Sequence, residues 1–351
     1  MQVKKIKILV VGTSSPHVAN HINRIRDEDI SIEVISNGKK YFDDKEGVHL
    51  VDFSLAKFWN LFLTVNRIRK IILSFKPDLI HIHQANSVAF YTLLANKKTK
   101  VPTVLTAWGS DILLNPKKSK ILKWLVRFNL KNADFFTSDA AFMAEEMRRL
   151  VPEKVLDISI CNFGVAPLPI AVQKEKLIYS NRNHNPLYRI DEVIIGFARF
   201  SKTNVGADWK LVIAGSGSET ESLKDLVQSK GLDEKVSFVG FVNTFENFNY
   251  YAKARVFVSL PESDATAMSL LEAMYYECIP VLSDLPANRE WVEDGVNGII
   301  VNDLEGEFFN RALSLNQDEI GSKNKAIILE KGTEEVSRKH FKDLILKAVS
   351  K

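Results

Sequence analysis

Short apolar runs alternate with longer amphipathic ones along the first half of the chain. "IKILVVG" (6–12), "SIEVIS" (31–36), "DLIHIH" (78–83), "TVLTAW" (103–108) and "DFFTSD" (134–139) have strand length and β-branched content. Between them, "VANHINRIRD", residues 54–75, "SVAFYTLLAN" and residues 117–131 carry apolar residues at helical spacing. This alternation predicts βαβ units, hence a parallel sheet covered on both faces. The strands run out into polar or glycine-bearing turns, "GTSSPH", "HQAN", "WGSD" and "SDA". Such strand ends are where open α/β sheets bind ligands.

The pattern pauses at "ICNFGVAPLPIAVQKEK" (160–176), with two prolines, a glycine and no helical period, and then restarts. "KLIYSNR" (176–182), "WKLVIAGSG" (209–217), "KVSFVGFV" (235–242), "RVFVSLP" (255–261), "IPVLSD" (279–284) and "NGIIV" (297–301) read as strands, with "RIDEVIIGFARF", "ETESLKDLVQSKG" and "FENFNYYAKA" as helices between them. Two α/β domains are therefore expected, at 1–168 and 169–330. A last helix at 331–351, with Phe341, Leu344, Ile345 and Val349 at helical spacing, is free to pack on either and is expected to cross back to the first.

Composition narrows the class. The chain has 351 residues, 46% apolar and 26% charged, which suits globular domains and excludes disordered and fibrous ones. A formal charge of +4 is spread along the sequence rather than clustered, so no nucleic-acid partner is expected. Cys161 and Cys278 lie far apart without metal-ligand spacing, which argues against a disulfide framework or zinc site and suits a cytoplasmic protein. The basic start "MQVKK" leads into a strand rather than a signal sequence, and Lys57, Arg67, Arg69 and Lys70 interrupt 54–75 too often for a membrane span.

The densest chemistry lies in "PESDATAMSLLEAMYYECIPVLSDLPANREWVEDGVNGIIV" (261–301). Leu270, Leu271, Met274 and Cys278 form one helical face, and Thr266 or Asp264 can cap the amino end. A buried helix on a sheet accounts for these residues but not for Glu272, which stands in the second turn near the apolar stripe. An anion at 266–269 would be stabilised by the free amides and dipole of the helix start, and a carboxylate one turn further in suits a diol such as a ribose.

This stretch resembles the donor-site signature of GT-B glycosyltransferases of the family 4 type. The match runs through Asp264, seven residues and Glu272, then "EAM" (272–274), "PV" (280–281) and "GVNG" (295–298). "VIAGSGSETESLKDLVQSKGLDEKVSFVGFV" is similar to the same family. The resemblance implies two Rossmann-like domains with parallel sheets facing an interdomain cleft. It also implies a retaining transfer of sugar from a nucleotide diphosphate, UDP by preference, to a hydroxyl of a glycan, lipid-linked or cell-surface polysaccharide acceptor, with no metal required.

By the same resemblance, Glu272 holds the donor ribose, while Ser269 and the Met268 backbone meet the diphosphate. Arg182 pairs with that diphosphate, and Asp264 faces the donor sugar; these two are assigned to the chemistry. Phe241 and Val242 lie beside the base, near the turn opened by Gly215. In the first domain Gly12 approaches the donor phosphates, and Asp111 with His17 or His83 lines the acceptor side.

The chain departs from the family at several of these positions. Asp264 stands where Glu is usual, and Trp108 where many relatives carry histidine. After Arg182 the usual lysine is missing and "NPLYR" follows, with Tyr188 and then Arg189, which either supplies the second positive charge or is a solvated helix-start residue. Glu277 occupies a helix end where glycine is common, at a cost of about 1 kcal/mol if the site needs positive φ. His17, His81 and His83 admit catalytic or structural readings. In 117–131, Ile121, Trp124, Leu125 and Phe128 share a face flanked by Lys120, Lys123, Arg127 and Lys131. That run is either a domain helix with a basic edge or a peripheral contact with an anionic membrane. Two alternatives to the transferase reading are a nucleotide-sugar 2-epimerase of the same fold and a catalytically silent GT-B binding subunit. A dehydrogenase is disfavoured, because "VVGTSSPH" and "AGSGSE" lack the GxGxxG turn.

Overall fold

The computed structural model describes residues 5–42, 47–55 and 60–350, and the chain divides into two compact units. One comprises Met1–Phe163 with Ser337–Lys351, the other Gly164–Val336.

The first unit holds seven strands among its described residues: β1 (Ile6–Val11), β2 (Ile30–Ser36), β3 (Gly47–Leu50), β4 (Leu79–His83), β5 (Thr103–Thr106), β6 (Phe135–Ser138) and β7 (Asp157–Ile160). They pair in parallel in the order β3-β2-β1-β4-β5-β6-β7. β4 and β5 are buried along their whole length, as strands covered on both faces must be. The order reverses between β1 and β4, the switch point at which open sheets leave a crevice for ligands.

The second unit repeats the plan with β8 (Glu175–Ser180), β9 (Lys210–Ala214), β10 (Val236–Gly240), β11 (Ala254–Ser259), β12 (Ile279–Ser283) and β13 (Ile299–Val301). Its order is β10-β9-β8-β11-β12-β13, again parallel, with the reversal between β8 and β11. Residues of alternating position go to opposite cores. Ile178, Leu211, Ile213, Val256 and Val258 pack on one side. Tyr179, Phe257, Leu282 and Ile300 pack on the other. Tyr179 pairs with Phe257, so the chain emerging after β8 runs beside the chain emerging after β11.

The terminal helix Glu334–Val349 returns to the first unit. Phe341, Leu344, Ile345 and Ala348 share a core there with Ile8, Val10, Leu79 and Phe135. Of the helical run at 54–75, Leu61–Phe75 is a helix, and 56–59 lie outside the described residues. The 117–131 run is broken. Asn115–Lys118 forms one turn, Ser119 is extended at φ −160°, and its hydroxyl accepts from the Leu122 amide to start a new helix at Lys120–Asn132. The buried face of that helix is Leu125, Val126, Asn129 and Leu130, whereas Ile121 and Trp124 are 74% and 56% exposed. No helix among the described residues is long and apolar enough to cross a membrane.

Candidate active site

The switch point of the second sheet gathers the charged residues. Arg182 follows β8 and Asp264 follows β11; one terminal guanidinium nitrogen of Arg182 lies 2.6 Å from Asp264 Oδ2 and the other donates to Ser269 Oγ at 3.0 Å. The Arg182 side chain is only 10% exposed and its Cζ lies 4.3 Å from the centre of the Tyr188 ring. Burial works against the charged guanidinium, but Asp264 and then Tyr188 more than offset it and hold the pKa above its ordinary value.

The loop that presents Arg182 is shaped by two glycines. A Cβ on Gly215, which has φ +112°, would come 2.5 Å from the Arg182 carbonyl oxygen. A Cβ on Gly217 would come 2.2 Å from that of His184. Only a backbone bare at both places lets the 215–217 turn lie against 182–184, where the His184 amide donates to the Ser216 carbonyl at 3.1 Å.

Asp264 does not cap the following helix, contrary to the sequence expectation, because its carboxylate is engaged by Arg182 and by the Ala265 amide at 3.0 Å. Thr266 does not cap it either, and its hydroxyl accepts from Trp291 Nε1 at 3.4 Å. The helix Met268–Tyr275 thus starts from Ala267 with no side-chain cap. The amides of Met268 and Ser269 stand in its first turn, where a helix has no carbonyl of its own to offer.

One turn beyond Ser269, Glu272 enters a polar network. Its Oε2 accepts from Asn247 Nδ2 at 3.2 Å, and the Tyr251 hydroxyl also bonds to it. Asn181 Nδ2 donates to Asn247 Oδ1 at 2.9 Å and to the Tyr251 hydroxyl at 2.7 Å, and Tyr179 donates to Asn247 Oδ1 at 2.8 Å. Burial pushes the Glu272 carboxyl up to about 7, against the opposing effect of the Tyr251 and Asn247 hydrogen bonds. Asn181, Asn247 and Tyr251 were not picked out from the sequence. Their only signal was Asn247 and Tyr251 at i, i+4 beside the buried Phe248 of the same helix.

The remaining donor-side residues occupy strand ends of this unit. Phe241, 76% exposed, and Val242, packed on the core, follow β10, and Gly215 follows β9 with its amide donating to the Gly240 carbonyl at 2.7 Å. Arg189 stands half-buried at the start of the helix Ile190–Phe200. Its Nε donates to the Leu260 carbonyl at 2.7 Å and a terminal nitrogen to that of Pro261 at 3.1 Å. Glu277 does take positive φ, +64°, and its carboxylate pairs with Lys325 at 2.8 Å.

In the first unit Gly12 follows β1 and faces the next helix; a Cβ there would come 2.7 Å from Val18 Cγ2. His83 is fully buried, with Nδ1 accepting from Trp108 Nε1 at 3.3 Å, and His17 lies at the surface with its ring centre 5.2 Å from Trp108. Asp111 does not line an open face. It is 2% exposed, and its carboxylate accepts from the amides of Ala85 at 2.7 Å and Trp108 at 3.0 Å, which ties two loops together. Burial raises its pKa in spite of those bonds. His21, His81 and His83 put ring nitrogens within 4.8 Å of one another, a set able to hold a metal ion. Two of these nitrogens bond to each other, His21 Nε2 to His81 Nδ1 at 3.1 Å, and His81 Nε2 bonds to Thr106 Oγ1 at 2.7 Å. Burial holds His81 down at about 3 and lowers the other two well below the usual range, which favours the neutral imidazole in each.

Two family models divide the chain between them: "Glycosyl transferase 4-like" matches residues 7–140 and "Glycosyl transferases group 1" matches residues 167–324. Together they make the chain a glycosyltransferase of the family 4 type. Among the relatives of this transferase is the alpha-monoglucosyldiacylglycerol synthase of Acholeplasma laidlawii, 23% identical over 97% of this chain and 94% of the relative. Another is the N-acetylgalactosamine-N,N'-diacetylbacillosaminyl-diphospho-undecaprenol 4-alpha-N-acetylgalactosaminyltransferase of Campylobacter jejuni, 25% identical over 76% of this chain and 74% of the relative. The solved structure of Anabaena HepE in complex with UDP superimposes with a TM-score of 0.80 at 14% identity, covering 97% of this chain and 100% of that one. The fold of the transferase is thus GT-B, as its motifs implied.

Proposed function

We propose that this glycosyltransferase moves a sugar, with retention, from a UDP-sugar to a hydroxyl of a lipid-linked or glycan acceptor. The observation that carries the reading is the second unit's switch point, where Arg182 donates to Ser269 at the amino end of Met268–Tyr275 and Glu272 stands one turn further along that helix. Nucleotide diphosphates present two features to such a place, an anion and a ribose diol. Arg182 and the first-turn amides suit the anion, and Glu272 with its fixed neighbours suits the diol.

As the glycosidic bond breaks, negative charge grows on the departing diphosphate. Groups already oriented there lower the barrier without reorganising, and Arg182 with the helix start is such a set, so the reading calls on no metal. Asp264 acts by position and charge. Its carboxylate is bound to Arg182, which sets where the guanidinium stands before a donor arrives. UDP is favoured as the nucleotide because HepE was solved with it, and a lipid-linked acceptor because both relatives are named for lipid or undecaprenol substrates. The "alpha" in both names accords with retention. Both cysteines are free and buried, which suits a cytoplasmic site of action.

A thermal-shift panel of UDP-, GDP-, ADP- and CMP-linked sugars tests the reading. UDP-sugars are expected to raise the melting temperature of the wild type, and Arg182→Ala and Glu272→Ala to lose that shift and to lower transfer about 100-fold. Unchanged shifts in both variants would refute the assignment of this site.

A further inference from the structure

The guanidinium of Arg182 has five N–H donors and two faces. Asp264 and Ser269 each take one N–H of a terminal nitrogen, and Cζ stands 4.3 Å from the centre of the Tyr188 ring, whose side chain also bonds to the guanidinium. We infer that Tyr188 is the positioning residue for Arg182, a stacking platform that fixes the plane of the single guanidinium on which diphosphate binding depends. This rests on the reading of Arg182 as the diphosphate contact and goes one step further into it.

The platform is itself held rigidly. Pro186–Tyr188 is a single 3-10 turn opened by a proline, and the Tyr188 amide donates to the Asn185 carbonyl at 3.0 Å. Arg189 next to it adopts φ +47°, and its guanidinium is fastened to the Leu260 and Pro261 carbonyls. The Glu262 amide donates to the Leu187 carbonyl at 2.9 Å. The turn bearing Tyr188 and the loop bearing Asp264 are therefore stapled together, and the Tyr188 ring packs on the core of this unit. Tyr188, Asp264 and Ser269 reach Arg182 from three separate segments.

This arrangement matters because a free arginine side chain samples many rotamers, and its hydrogen bonds to a phosphate are directional. Stacking removes most of that freedom before the ligand arrives. It also explains how the site can work although Arg189, the next arginine along the chain, is committed to backbone carbonyls.

The test is calorimetric titration of UDP into the wild-type chain, Tyr188→Phe, Tyr188→Leu, Arg182→Ala and the Arg182→Ala/Tyr188→Leu double variant. Tyr188→Phe keeps the stacking face and is expected to bind within about 2-fold of wild type; Tyr188→Leu is expected to weaken UDP roughly 3- to 30-fold. In the Arg182→Ala background Tyr188→Leu is expected to change nothing further, which a merely structural role would not produce. Equal affinities for wild type and Tyr188→Leu, or an undiminished Tyr188→Leu effect in the absence of Arg182, would overturn the inference. Unchanged binding by Arg182→Ala would instead overturn the underlying site. Should Tyr188→Leu fail to fold, Tyr188→Met gives the same comparison with an unbranched, more adaptable side chain of similar volume.

Discussion

Glu272 keeps its proton up to about pH 7 in the folded protein, whereas an unfolded chain releases it in the ordinary carboxylate range. Between those values the folded state binds the extra proton, so stability falls as pH rises through the window. Glu272→Gln removes this dependence. In the ligand-free protein it is expected to raise the melting temperature by about 5 °C at pH 8 and to change it little at pH 4.5. An ionised carboxylate accepts from both hydroxyls of a ribose, so UDP affinity is expected to rise between about pH 6 and 8 in wild type and to rise less in Glu272→Gln, which corrects for titration of the phosphate itself. A melting curve with the same pH dependence in both proteins would remove Glu272 from this role. At this scale the sequence was informative where spacing alone brings groups together, as with Ser269 and Glu272 on one helix. It was not informative about the bond of Asn181 to Asn247 or the contact of Tyr188 with Arg182, which depend on how β8, a 3-10 turn and a distant helix pack.

Periodicity located most elements because strands buried on both faces read as uninterrupted apolar runs. β3 and β7 escaped that test: they are short edge strands with no fully buried residue. The helix Lys120–Asn132 lies within the apolar run read at 117–131, and packing divides the face read from spacing: Leu125 goes inside with Val126 and Leu130, whereas Ile121 and Trp124 stay exposed. Trp124 lies instead in an outer aromatic group with Phe90 and Phe128, at ring separations of 5.8 and 5.7 Å, and Lys97 lies 5.7 Å from the Phe128 ring. Exposed aromatic and aliphatic side chains among lysines are suited to the headgroup region of an anionic bilayer. For the proposed lipid-linked acceptor, the double variant Ile121→Asp/Trp124→Asp is expected to lose co-flotation with phosphatidylglycerol vesicles while keeping its melting temperature. Equal flotation by both proteins would show that this helix face has no membrane role.

Across the whole molecule, two parallel sheets were legible from alternating runs, but the reversal of strand order in each came from the structure. The grouping of 337–351 with the first unit was not fixed by pattern alone, because an apolar helical face does not say which core it completes; Phe341 and Leu344 settle it by packing with Ile8 and Leu79. In each unit two of the residues singled out stand at the reversal, Gly12 and His83 after β1 and at the end of β4, Arg182 and Asp264 after β8 and β11; Asp111, Gly215 and Phe241 follow other strands. The central claim is that the second unit's reversal point holds a nucleotide diphosphate, and a crystal structure of the chain soaked with UDP tests it most directly. Phosphate oxygens are expected within hydrogen-bond distance of Arg182 and Ser269, with the ribose hydroxyls on Glu272. UDP bound elsewhere on the chain, with Glu272 and the Arg182–Asp264 pair untouched, would contradict it.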